Sequence, residues 1–309
     1  MGFSRNVLLW ASENNWMRAH VPNLKFVKTA IKKFMPGETV EDALKAAAAF
    51  KEFSIPTTFT RLGENIQNLS EGLEVRNHYI DLIDKIAERK LDVEISVKLT
   101  QLGFDSSFEE TLERFKSIAL RAKEKLGNIV WIDMEGSGYT ERSLFFYKKI
   151  REQFDNAGLC VQAYLYRTEK DLEDLLNINA NIRLVKGAYK EPADIAFSSK
   201  KDVDSNYLHL SKILLKRRSE KEFRIAFATH DENLCSQIMN EAKHYSISKD
   251  RFEFQMLYGI KPAYQKHLSN HNFKVRVLIS YGSFWYPWYM RRLAERPANI
   301  WFVLKNIFG

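Results

Sequence analysis

Cysteine is nearly absent: the 309 residues hold two, Cys160 and Cys235, in apolar or helical surroundings and without CxxC spacing. That usage fits a reducing compartment and offers no disulfide framework. No stretch approaches the ~18 consecutive apolar residues of a membrane-spanning helix. Nor does the N-terminus combine a basic start, an apolar core and a small-residue cleavage site. A cytoplasmic protein is expected, with peripheral contact at the inner face of the cytoplasmic membrane left open. Several site motifs are missing too. There is no GxGxxG after the first strand, no GxxxxGK[ST], no HExxH or HxH and no GxSxG. These absences remove the usual signals of a dinucleotide-binding open sheet, a P-loop, a zinc protease and an acyl-enzyme. The single G-x-G, at Gly136 and Gly138, says little beyond a turn. His267 and His271 share helical spacing but lie in a polar stretch without further ligands, so no metal site is expected. No low-complexity segment or linker divides the chain.

Charge is present in both signs. Lys and Arg number 47 against 39 Asp and Glu, a net +8, but the basic residues are scattered among acids rather than gathered in a stripe. An anionic substrate or cofactor accounts for that excess better than nucleic acid does.

Residues 1–54 are predicted to form an N-terminal helical extension, with Thr39 capping a helix over VEDALKAAAAF. From Ile55 the rhythm changes, as short β-branched runs alternate with longer amphipathic ones. The strands read IPTTFTRLGE, DVEISVKLTQLG, NIVWIDMEGS, LCVQAYLYRT, NIRLVKGAYK, EFRIAFATHDE, RFEFQMLYGI and FKVRVLISYG. Ser106 or Ser107, with Glu109 and Glu110 as capping-box partners, opens one intervening helix and Thr168 caps another. About eight strand–helix units in series imply parallel strands closed into an α/β (β/α)8 TIM-type barrel over residues 55–309.

Chemistry on such a barrel sits at the C-terminal ends of the strands. The polar residues there are Arg61 and Glu64, Lys98, Asp133 and Glu135, Gln162 and Tyr164, Lys186 and Tyr189, Thr229 and His230, Gln255 and Tyr258. Lys98 and Lys186 each follow an apolar strand. Each is a partner for a nearby carboxylate, an anion ligand or a Schiff-base amine, the last of which would make the protein a lyase or aldolase. Arg183 lies inside the fifth strand on the same side as Val185, and a charge there needs a partner. The last strand leads into YGSFWYPWYMRRLAERPAN, Tyr281 to Asn299. Pro287 suits the first position of a helix. Glu295 lies within reach of Arg291 and Arg292, which sit about 100° apart around the axis and converge only on something in an adjacent groove. A small carboxylate matches the guanidinium fork. The residues alone therefore describe a barrel enzyme with a cationic mouth, a carboxylate-bearing small substrate and a large anionic cofactor.

Taken together, RLVKGAYKE, FATHDE, FEFQMLYG and WYPWYMRRLAERPAN resemble the proline dehydrogenase family, in its compact monofunctional bacterial form, over residues from about 55 to 300. The resemblance implies non-covalent FAD, oxidation of L-proline to Δ1-pyrroline-5-carboxylate, quinone as acceptor and a pyrroline-5-carboxylate dehydrogenase as the next enzyme. It implies that Arg291, Arg292 and Lys98 bind the substrate carboxylate, that Glu295 holds the arginines and that Glu64 pairs with Arg291. Asp133 would neighbour Lys98, while Tyr189 and Leu257 would line the proline ring. Arg183 would sit near flavin N5, Gln162 and Met134 at the isoalloxazine, Thr229 and His230 further along the cofactor, and Lys186 at its phosphate or ribityl part. Two departures touch the wall facing the ring. Leu278 and Trp288 stand where the family commonly has tyrosine, which keeps hydroxyproline and pipecolate as alternative substrates.

Overall fold

Eight runs of alternating character form eight parallel strands, and in the computed structural model they close in sequence order into a single barrel. Residues 10–11, 14–23, 27, 31–63 and 69–295 are described, apart from some helix side chains that include those of Arg291, Arg292 and Glu295. The strands are β1 Thr57–Arg61, β2 Val93–Val97, β3 Val130–Ile132, β4 Ala157–Gln162, β5 Asn181–Val185, β6 Ile225–Ala228, β7 Glu253–Leu257 and β8 Lys274–Tyr281. Before them come α1 Asn15–His20 and α2 Val40–Lys51. Between and after them lie α3 Leu69–Glu88, α4 Phe108–Leu126, α5 Thr140–Arg151, α6 Thr168–Asn177, α7 Lys200–Glu220, α8 Glu232–His244, α9 Pro262–Asn270 and α10 Trp285–Glu295. The expected (β/α)8 barrel is thus the fold.

Strand alternation separates two environments. Ile95, Val97, Ile132, Leu159, Ile182, Leu184, Phe227, Phe254, Val277 and Ile279 point outward and join helix residues such as Leu82, Ile118, Phe146 and Leu214 in one apolar core. The intervening residues face the barrel interior. There the N-terminal half is filled by charge rather than by the branched aliphatics usual in such barrels. Arg224 bridges Glu94 and Glu253, and Arg276 Nε lies 3.3 Å from Glu94 and 3.5 Å from Glu253. Two guanidinium groups balance two buried carboxylates. Burial alone would raise the Glu253 carboxyl, but Arg224 and Arg276 outweigh it and hold the group down to about 2. The rule that singled out Arg183 applies to this network too, since all four charges lie within or beside strands, but the sequence reading named none of the four. A cavity of about 370 Å³ opens beneath it, lined by Arg224, Glu253 and Lys274, at the N-terminal ends of the strands.

Helix starts follow local chemistry, with corrections to the sequence reading. Thr39 forms the full capping box with Asp42. Ser107 accepts the Glu110 N–H at 3.2 Å, but the Glu110 carboxylate turns to Arg114, so only half a box forms there. Thr168 is not a cap. It is the first residue of α6, entered from a helical Arg167, and its hydroxyl donates to the Gln162 carbonyl at 2.5 Å. Pro287 is the third residue of α10 rather than the first. It is tolerated there because first-turn N–H groups have no intrahelical acceptor. A second apolar cluster ties α10 to the N-terminal segment: Trp285, Trp288, Tyr289 and Leu293 pack with Ile31, Phe34, Met35 and Leu62. The Trp285 indole adds a bond to Glu38 at 2.8 Å.

Candidate active site

The upper half of the barrel interior centres on Arg183, which is 2% exposed. It shares a face of β5 with Val185, as alternation requires, and stands in register with Cys160 and Ala226. Its Nη1 donates to Ser96 Oγ at 2.8 Å and to Asp133 Oδ1 at 3.0 Å. Ser96 Oγ donates in turn to the same carboxylate oxygen at 2.7 Å, and Thr60 Oγ1 reaches its other oxygen at 3.5 Å. The guanidinium lies 4.5 Å over the Trp131 ring. Its Nε and Nη2 are buried with no hydrogen-bond partner among the described residues. A buried cation with unused donors is costly to leave that way. The arrangement suits an acceptor-rich group entering from the mouth. The Cys160 thiol beside it is pushed up to about 11 by burial and is a poor nucleophile at neutral pH.

Around this centre the strand ends supply further polar atoms. Gln162 Nε2 donates to the carbonyls of Met134 at 3.3 Å and Glu135 at 3.1 Å, which leaves its buried Oε1 without a partner among the described residues. Met134 packs its side chain into the main core. Glu135 is bonded by both the N–H and the hydroxyl of Thr100. Lys98 Nζ donates to the Gly63 carbonyl at 3.2 Å, and Gln101 donates to that same carbonyl at 2.7 Å. Lys186 Nζ lies 2.5 Å from Asp204 and 3.5 Å from Asp231. Thr229 accepts the Asp231 N–H at 3.2 Å. His230 accepts the Leu257 N–H through Nε2 at 2.8 Å, so that nitrogen carries no proton. Leu257 and Leu278 are in register on β7 and β8, both half-buried. Tyr189 is half-buried in the loop after β5. That loop is braced by Glu191, which accepts the Ser137 N–H at 2.8 Å, the Ser137 hydroxyl at 2.5 Å and the Tyr164 hydroxyl at 3.2 Å. Gly187 makes the turn possible. Its φ is +114° and a Cβ would stand 2.3 Å from the Tyr164 ring.

The structure therefore gathers Lys98, Asp133, Gln162, Arg183, Thr229, His230, Leu257 and Leu278 at or near one rim, as strand-end residues must be in a closed barrel. Asp133 is bonded to Arg183, a pairing the sequence reading did not make. Trp288 is 9% exposed within the cluster that joins α10 to the N-terminal segment. Glu64 lies outside the described residues, as do the side chains of Arg291, Arg292 and Glu295, although their backbone belongs to α10. Ser96, Thr60, Trp131 and Glu191 were missed. Ser96 had a signal, since it alternates with Glu94 and Lys98 along β2. Glu191 had none, because a loop carboxylate does not announce which loops it joins. Among the described residues no group of three or more His, Cys, Asp and Glu could hold a metal ion. No described helix is long and apolar enough to cross a membrane.

Fold and site define a barrel enzyme working at the C-terminal rim of its strands. The sequence profile described as proline dehydrogenase matches residues 43–305. Proline dehydrogenase 1 of Bacillus subtilis strain 168 is 36% identical over 308 residues, covering 98% of each chain. The proline dehydrogenase of Deinococcus radiodurans is 35% identical over 280 residues, covering 89% of each. The fold also matches the crystal structure of proline utilization A from Bdellovibrio bacteriovorus inactivated by N-propargylglycine. There the TM-score is 0.80 and the identity 23%, over 94% of this chain and 37% of that one. The chain spans little more than a third of that longer protein, and the likeness speaks to the fold. The chain belongs to the proline dehydrogenase family of oxidoreductases.

Proposed function

We propose that this protein is a flavin-dependent enzyme that oxidises L-proline to Δ1-pyrroline-5-carboxylate, the first step of proline catabolism. The observation that carries the reading is Arg183: a buried guanidinium held by Asp133 and Ser96, with Nε and Nη2 left as donors among the described residues. FAD, bound without a covalent link, would supply the acceptor for the hydride leaving ring C5. Arg183 would face its reactive edge, where a fixed cation favours negative charge on the reduced ring. The unpaired Oε1 of Gln162 offers an acceptor to the same ring system, and Met134, whose carbonyl accepts from Gln162 Nε2, would border it. Lys186, Thr229 and His230 would meet the rest of the cofactor.

Lys98 with Arg291 and Arg292 would clamp the substrate carboxylate, and Glu295 and Glu64 would hold the arginines. Anchoring one end of so small a molecule orients the other, which is the positioning part of catalysis. Leu257, Leu278, Tyr189 and Trp288 would wall the ring. Quinone would take the electrons, with peripheral contact at the membrane face bringing the two together, and a pyrroline-5-carboxylate dehydrogenase would consume the product. Arg292→Met tests the clamp. Its KM for proline should rise and kcat/KM fall by the equivalent of roughly 2–5 kcal/mol, with flavin content unchanged. Kinetics identical to wild type would leave Arg292 no part in a clamp.

A further inference from the structure

We infer that Trp131 is a positioning residue for Arg183, its indole face setting the plane in which the guanidinium meets the flavin; this rests on the flavin reading above. A tryptophan is an unusual filler for the interior of a barrel normally packed with branched aliphatics, and the chain accommodates it at a definite place. Gly158, its partner in register on β4, has no side chain where a Cβ would stand 2.5 Å from the indole. The ring cannot pivot in its own plane, because Nε1 donates to the fully buried Glu94 at 2.7 Å. Glu94 is itself fixed by Arg224 and Arg276. The indole thus rests on the charged network of the N-terminal half and meets Arg183 at 4.5 Å.

The geometry divides the labour on Arg183. Asp133 and Ser96 both engage Nη1, so they hold one corner of the guanidinium and leave rotation about that corner open. Contact with the electron-rich indole face restrains that rotation, since a guanidinium over an aromatic face in a desolvated site is attracted to it and stacks on it. The two unused nitrogens are then fixed in direction before any ligand arrives, which is the preorganisation that makes a cation effective against developing charge.

The test uses the full-length protein loaded with FAD and compares Trp131→Phe, which keeps an aromatic face, with Trp131→Met, which keeps bulk without one. The readouts are the midpoint potential of the bound flavin and the dissociation constant for FAD. Trp131→Met should lose about tenfold in relative stabilisation of the two-electron-reduced flavin, a potential about 30 mV more negative. Trp131→Phe should stay within threefold of wild type. Equal potentials in wild type and Trp131→Met overturn the inference, as does an equal loss in both variants, which marks a merely structural role. If Trp131→Met does not fold, a trifluorinated tryptophan at position 131 keeps the shape and depletes the ring face. It should shift the potential in the same direction, and an unmoved potential refutes the assignment. A wild-type protein that binds no FAD instead defeats the flavin reading itself.

Discussion

Asp133→Ala is the perturbation that the site's architecture constrains most tightly. It removes the carboxylate 3.0 Å from Arg183, whose guanidinium is 2% exposed, while Asp133 keeps 20% of its side chain in contact with solvent. Leaving one member of a fully buried ion pair alone costs about 3–5 kcal/mol. The partial exposure of Asp133 places this case near the low end, about 3 kcal/mol. With an unfolding entropy of about 2.1 cal/mol/K per residue, a chain of 309 residues loses about 5 °C in Tm. The assay is thermal unfolding of the FAD-free protein for wild type, Asp133→Ala, Arg183→Met and the double variant. The double variant leaves no uncompensated charge, so it should be more stable than Asp133→Ala alone, with a coupling of about 2 kcal/mol. Strictly additive single effects would refute the claim that this ion pair holds Arg183 in place.

A second prediction concerns acid. The Glu253 carboxyl, held down to about 2 by Arg224 and Arg276 against the opposing effect of burial, stabilises the fold fully above pH about 4.5 and loses that contribution as pH falls toward 2. The amount is on the order of 3 kcal/mol. In urea titrations the stability gap between wild type and Glu253→Gln should therefore narrow across that window, and parallel curves would show that the network does not titrate this way. Substrate preference supplies a third. If Leu257 and Leu278, in register on β7 and β8, wall the substrate ring, that apolar wall rejects an added hydroxyl by only about 100-fold. Trans-4-hydroxy-L-proline should thus be oxidised with kcat/KM within about 10³ of L-proline, and Leu278→Tyr should change that ratio. A wild-type ratio above about 10⁴, the range of sites with dedicated polar readout, rules out a permissive wall.

The barrel was legible because its signal is repeated: eight β-branched runs, each followed by an amphipathic helix, leave little choice of topology once open-sheet motifs are missing. The rim residues were legible for the same reason, since a closed parallel barrel puts the ends of its strands together wherever they fall in sequence. What escaped was mostly pairing. Arg183 reaches the Asp133 carboxylate from two strands further along the barrel, with Ser96 between them, a pairing the sequence reading did not make. Ser96 alternates with Glu94 and Lys98 along β2, which marks its face but not its partner. Its role depends on register across β2 and β3, which periodicity does not report. Thr168 illustrates the opposite failure: a good capping residue placed before a helix, whose hydroxyl found a nearer acceptor in the carbonyl at the end of β4.

The most direct measurement is the visible absorption of the FAD-loaded protein on anaerobic addition of L-proline. If Arg183 presents a flavin to a proline clamped at the barrel mouth, saturating L-proline should bleach the oxidised flavin and release Δ1-pyrroline-5-carboxylate in an amount equal to the flavin reduced, and a quinone should restore the colour. A protein that binds FAD at this site yet keeps its oxidised spectrum in saturating L-proline would contradict the account.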